Sequence, residues 1–147
     1  MRIVLMRHGH AERTGSDPAL SEHGRTAVSV TAERIVCACS PQRVVHSPLR
    51  RAVQTAALVI TACGGAQRTE SAHLLPSAAP DVIGTQLIRW GEDVDTLLVI
   101  AHLPLLPRLS HWLCGRLLAF EPADAWCLEA ETEVAWQGTF DIVSVPE

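Results

Sequence analysis

Two short runs constrain the fold most. Thr96-Leu97-Leu98-Val99-Ile100-Ala101 is rich in branched side chains, and Ile3-Val4-Leu5-Met6 is apolar throughout. A strand with one wet face alternates apolar and polar residues. A run without alternation must be covered on both faces, as a parallel strand beneath helices is. Each run stops at polar chemistry: Arg7-His8-Gly9 after the first and His102 after the second.

Helical patterns fill the space between. Ser21 is placed to cap a helix, with Leu20 before it, and Gly24, Val28, Ala32 and Ile35 recur at helical spacing up to Pro41. Val44-Val45 is a short strand. Ser47-Pro48 reads as a cap followed by proline in the first turn, and Leu49, Ala52, Val53, Ala56, Ala57 and Ile60 form the apolar stripe of a helix ended by Gly64-Gly65. A weak strand is expected before Leu74-Leu75. Further helices are expected over Asp81–Trp90 and Leu105–Leu118, and a hairpin over Ala125–Val145 around Gln137-Gly138. The whole predicts an α/β fold: a three-layer sandwich with a mostly parallel central sheet and helices on both faces. At 147 residues it predicts one domain, 1–147.

Composition excludes several chemistries. All twelve basic residues are arginine, so Schiff-base catalysis and a lysine-based phosphate loop are out, and the absence of tyrosine removes phenolic acid–base roles. The net charge of −4 lacks the basic excess of a nucleic-acid binder. The apolar stretch Leu97–Leu106 is interrupted by His102 and Pro104 and falls far short of a membrane span. No secretory leader is apparent, and an odd count of five cysteines without a C-x-x-C pair fits free thiols, so the expected address is cytoplasmic. Cys37-x-Cys39 reads as a buried helix tail or, alternatively, a metal contact.

Ligands of parallel sheets bind beyond the carboxyl ends of the strands. Here those ends are Arg7-His8-Gly9, His46-Ser47 and Ala101-His102. Arg50 and Arg51 follow in the first turn of the helix after Ser47, where cations cost up to about 1 kcal/mol because that terminus is already partly positive. A bound anion would explain them, and so would solvation at the surface. His8 has two readings of its own: an ordinary loop histidine, or a neutral imidazole that attacks phosphorus.

Taken together, these residues resemble a known family. Arg7-His8-Gly9 after a first strand, Ser47-Pro48-Leu49-Arg50-Arg51-Ala52-Val53-Gln54-Thr55, and Leu98-Val99-Ile100-Ala101-His102-Leu103-Pro104 are similar, in order, to the three motifs of the histidine phosphatase superfamily, which has the phosphoglycerate mutase-like fold. Within it, Pro18–Gly24, Ile100–Leu106 and Gly138-Thr139-Phe140 resemble segments of the small SixA-type phosphohistidine phosphatases. The resemblance implies that His8 is the nucleophile and becomes phosphorylated. It implies that Arg7, Arg51 and His102 hold the phosphoryl oxygens, with His102 as a cation favoured by the neighbouring phosphate, and that water then hydrolyses phospho-His8. Arg51 rather than Arg50 is the motif arginine, because Ala-x-Gln-Thr follows it. No cofactor or metal is implied, since the positive side chains supply the charge.

Two departures matter. Larger relatives present a carboxylic acid to the leaving group, and SixA-type relatives commonly have Glu near Ser77, but Leu74–Pro80 holds none. Glu70 and Asp81 are the nearby candidates, though ordinary surface charge is the better reading of each. An alkoxide needs a proton on departure, whereas a phosphoramidate nitrogen can be protonated before it leaves. The gap therefore favours a phosphohistidine-bearing protein as substrate over a small phosphorylated molecule. A small-molecule phosphomonoesterase and a non-catalytic phospho-binding protein are the alternatives. His10, at a position often acidic in relatives, could form a metal site with His8 and His102, but no carboxylate or cysteine completes the set.

Overall fold

The computed structural model describes residues 2–130 and 140–143. Six strands, β1 (Arg2–Arg7), β2 (Arg43–His46), β3 (Gln67–Glu70), β4 (Thr96–Ala101), β5 (Ala125–Ala130) and β6 (Phe140–Val143), form one sheet in the order β3-β2-β4-β1-β5-β6. β1 to β4 are mutually parallel, while β5 runs antiparallel to β1 and to β6. Four helices, α1 (Glu22–Ala38), α2 (Arg50–Ala62), α3 (Pro80–Trp90) and α4 (Leu105–Cys114), cover it.

Both faces are dry, as the two continuous runs predict. Val4, Met6, Val44, Leu98 and Ile100 pack against Val28, Ala32 and Ile35 of α1 and Ala52, Ala56 and Val59 of α2. Their neighbours along the strands, Ile3, Leu5, Val45, Leu97 and Val99, pack against Ile83 and Leu87 of α3 and Leu105, Leu106 and Leu109 of α4. Alternate residues of one strand thus feed two cores, which is the period-two geometry of a strand buried on both sides.

Helix starts and stops follow local chemistry. The Ser21 hydroxyl caps α1 by accepting the Gly24 N–H at 2.9 Å. α2 departs from expectation: it begins at Arg50, with Leu49 at the cap position and no cap from Ser47. The Ser47 hydroxyl sits 2.6 Å from His102 instead, and the Arg50 N–H is capped from the preceding loop by Asp17 at 2.9 Å. The buried stripe of α2 is rotated as well, with Thr55 and Val59 inside and Ala57 exposed. α4 stops at Cys114 rather than Leu118, because Gly115 adopts a left-handed φ of 76°. There the Ser110 hydroxyl donates to the Arg116 carbonyl and accepts from Leu118 N–H, turning the chain.

β3 forms although all four of its residues are exposed, because the open edge of β2 offers its backbone a partner. The hairpin expectation holds for the paired strands β5 and β6; Gln137, Gly138 and Thr139 lie outside the described residues. Cys37 is exposed, not buried, and Cys39 is half-buried at the end of α1. No helix among the described residues is long and apolar enough to cross a membrane.

Candidate active site

β2, β4 and β1 are adjacent and parallel, with Arg7 in register with Ala101 and His46 with Ile100. Their carboxyl ends therefore open at one level, and the residues just beyond them meet. His8 leaves β1 tied to β4 through its N–H, 3.3 Å from the Ala101 carbonyl. The turn that follows runs close against α1: a Cβ on Gly9 would lie 2.6 Å from Val28 Cγ2, and one on Gly24 would lie 2.1 Å from the His10 carbonyl oxygen. Thr55 locks this turn to α2. Its hydroxyl accepts from Gly9 N–H at 3.1 Å and donates to the Arg51 carbonyl at 2.7 Å. Gln54 accepts from Leu20 N–H at 2.7 Å.

The bonds around His8 determine its protonation. Nδ1 lies 2.8 Å from the Gly9 carbonyl, which can only accept, so Nδ1 carries the hydrogen. Nε2 then presents a lone pair, which accepts from Arg51 Nε at 3.3 Å. Burial pushes the pKa of His8 down to about 4; the Gly9 carbonyl pulls it up, and the charges of Arg51 and Arg7 push it further down. The ring is thus neutral near neutral pH.

The ring of His102 stands 4.9 Å from that of His8, centroid to centroid. Burial, then His8, Arg51 and Arg7, bring its pKa to about 3. With no anion beside it, burial first, then His8 and the two arginines, holds His102 neutral; the expected cationic form is one that a phosphate beside it would favour. Its Nε2 engages Ser47 Oγ, while its Nδ1 is buried and has no hydrogen-bond partner among the described residues. Arg7 Nε is buried and unpartnered in the same way, although Arg7 Nη1 donates to the Phe120 carbonyl at 2.9 Å. Burial lowers the pKa of Arg7, and the carboxylates of Glu121 and Asp124 oppose that shift.

Arg7, His8, Arg51 and His102 therefore converge. Arg50 does not; its side chain is exposed on α2. Glu70 is exposed at the end of β3, where its charge acts on His46. Asp81 lies in the first turn of α3 and lines a separate surface cavity of about 300 Å³ with Arg108, His111 and Trp112. Neither acts on His8 or His102. His10 is exposed and its Nδ1 pairs with Ser21 Oγ at 2.8 Å, bracing the start of α1. Among the described residues no three histidine, cysteine or acidic side chains are grouped as a metal site requires.

Sequence reasoning passed over Ser47 as a partner of His102, Thr55 as the tie to Gly9, and the loop Phe120–Asp124 beside Arg7. Of these, only Thr55 had a signal, its place in the second motif.

The arrangement offers one neutral nitrogen nucleophile, two guanidinium groups and unpaired buried donors, which together suit a tetrahedral oxyanion. The model of the histidine phosphatase superfamily (branch 1) matches residues 3–74. Among solved structures, the chain is similar to a protein histidine phosphatase SixA complexed with tungstate, at 26% identity over 96% of this chain and 94% of that one, with a TM-score of 0.85. It shares its fold with a SixA protein from Nakamurella multipartitia (23% identity, 99% and 95% covered, TM-score 0.84). It also shares it with a mycobacterial glucosyl-3-phosphoglycerate phosphatase (20% identity, 96% of each chain covered, TM-score 0.73). No curated protein matches the chain.

Proposed function

The chain belongs to the histidine phosphatase superfamily, and from that premise we propose that it is a metal-independent phosphatase that works through a covalent phosphohistidine on His8. The observation that carries this reading is the fixed tautomer of His8, whose Nε2 lone pair faces Arg51 beside two unpartnered buried donors.

In the first step a phosphoryl group enters and Arg51 redirects its Nε–H hydrogen bond from the His8 lone pair to a phosphoryl oxygen, keeping its proton. Arg7 Nε and His102 Nδ1 supply further donors, and the two guanidinium charges stabilise the transferring group. His8 Nε2 forms a bond to phosphorus while the bond to the leaving group breaks with its electron pair. In the second step water attacks phosphorus, the bond to Nε2 breaks, and inorganic phosphate departs. His8 regains its lone pair.

The proposed substrate is phosphohistidine on a protein. The charges acting on His8 are those of arginines, and none is a carboxylate. An imidazole already protonated on its second nitrogen leaves neutral and needs no acid, whereas an alkoxide does. Glu121 and Asp124, the carboxylates acting on Arg7, favour the second reading, a phosphomonoesterase of small molecules. Turnover of a phosphohistidine protein should exceed that of sugar phosphates, with acid-labile phosphate trapped on His8. Strong preference for the ester would replace the substrate, and no turnover with either would defeat the enzyme.

A further inference from the structure

We propose that His46 and Arg68 are positioning residues for this site, joined through Ser47 to His102 by one line of hydrogen bonds. The inference rests on the catalytic reading above and adds residues that reading does not use.

His46 ends β2 and is completely buried, in a strand whose other inward residues are Val44 and Val45. An apolar side chain would fill that position without the cost of burying two ring nitrogens. Both nitrogens are instead satisfied. Nδ1 lies 2.8 Å from the Ser47 carbonyl, and Nε2 accepts from Arg68 Nε at 2.9 Å. A carbonyl only accepts and a guanidinium only donates, so the ring is held as one tautomer. Burial and the Arg68 charge lower its pKa, while the Ser47 bond and Glu70 oppose them.

Ser47 is the residue held at the other end. It is wholly buried, its N–H reaches the Ile100 carbonyl of β4 at 3.2 Å, and its hydroxyl accepts from Leu49 N–H at 3.3 Å. That leaves the hydroxyl hydrogen for His102 Nε2 at 2.6 Å. With Nε2 accepting, the His102 hydrogen sits on Nδ1, the orphaned atom of a ring whose centroid lies 4.9 Å from that of His8. His46 fixes the Ser47 peptide, and the peptide aims the hydroxyl. Arg68, exposed on the edge strand β3, reaches inward to hold the His46 ring in place.

Three variants separate positioning from bulk stability. Arg68→Gln removes an exposed side chain and leaves the core intact. His46→Asn keeps a donor where Nδ1 was. His46→Leu keeps volume alone. Phosphate release from a phosphohistidine protein and the ring ¹⁵N spectrum of His102 would be measured for each. His46→Leu should lower kcat about tenfold with KM within about twofold, since small misplacements of a reacting geometry cost rate rather than binding. His102 should then lose its single tautomer. His46→Asn should recover most of the rate, and Arg68→Gln should lie between. If His46→Leu does not fold, Arg68→Gln carries the test alone. Unchanged kcat and an unchanged His102 spectrum in the folded variants would overturn the proposal. A wild-type protein that never forms phospho-His8 would instead defeat the catalytic reading, and the ¹⁵N spectra would still decide whether the line positions His102.

Discussion

His8 follows β1 and His46 ends β2, and each places its Nδ1 against the carbonyl of the next residue while its Nε2 receives an arginine Nε–H. The same two bonds give both rings the same tautomer and the same neutrality. Their surroundings differ. His8 keeps 8% of its surface exposed and His46 none. Arg51 stands 3.3 Å from its histidine and Arg68 stands 2.9 Å from its own. His8 has a second imidazole at 4.9 Å and a second arginine acting on it, whereas His46 has Glu70 to balance Arg68. Local bonding thus prepares a nucleophile in both places. Access, a loosely held arginine and a second arginine acting on the ring distinguish the one proposed to react.

The largest effect expected is from His8→Ala, which should reduce phosphate release at least about a thousandfold and abolish acid-labile labelling. Labelling that persisted on His46 would break the contrast between the two rings. Arg51→Ala should cost about 10²- to 10³-fold in kcat, the scale seen when one preorganised donor to a developing charge is lost. A comparable loss from Arg68→Gln would show that the two arginines do the same work.

Thr55→Val leaves the Gly9 N–H and its turn without a partner. It should destabilise the fold by about 1–3 kcal/mol in urea titrations, with a drop in kcat. Acid should also act through these rings. His8 and His102 bind protons at about 4 and about 3 in the folded chain, against 6.5 ordinarily, so the unfolded chain takes up protons first. Stability should therefore fall as pH drops below about 6.5, levelling off only below about 3, and His102→Gln should flatten that slope in melting curves. The smallest effect belongs to Asp81→Asn, for which turnover within about twofold of wild type is expected because Asp81 faces the cavity between α3 and α4.

The elements most legible in the sequence were those set by their own composition. β1 and β4 announced two-sided burial by continuous apolar runs, and Ser21 announced a helix by its place before a regular stripe. The three strand ends were legible for the same reason. What escaped was decided by partners far along the chain. β3 is polar throughout and exists because β2 has an open edge. The cap of α2 comes from Asp17, 33 residues earlier, since Ser47 is occupied by a histidine 55 residues later. The lowered pKa of His102 comes from burial first and then from His8, Arg51 and Arg7, none of which its neighbours in sequence disclose.

β4 comes last of the four parallel strands, yet it lies between β1 and β2. His8 follows β1 and Arg51 lies on α2 after β2, so β4 is the strand that joins the two halves of the sheet from which these side chains are set. β4 also brings His102 to the His8 ring, so pairing of this one strand joins β1 to β2 and sets the second imidazole of the site. The proposed hydrolysis should therefore appear only when the central strand is in place, which makes phosphate release a measure of its pairing.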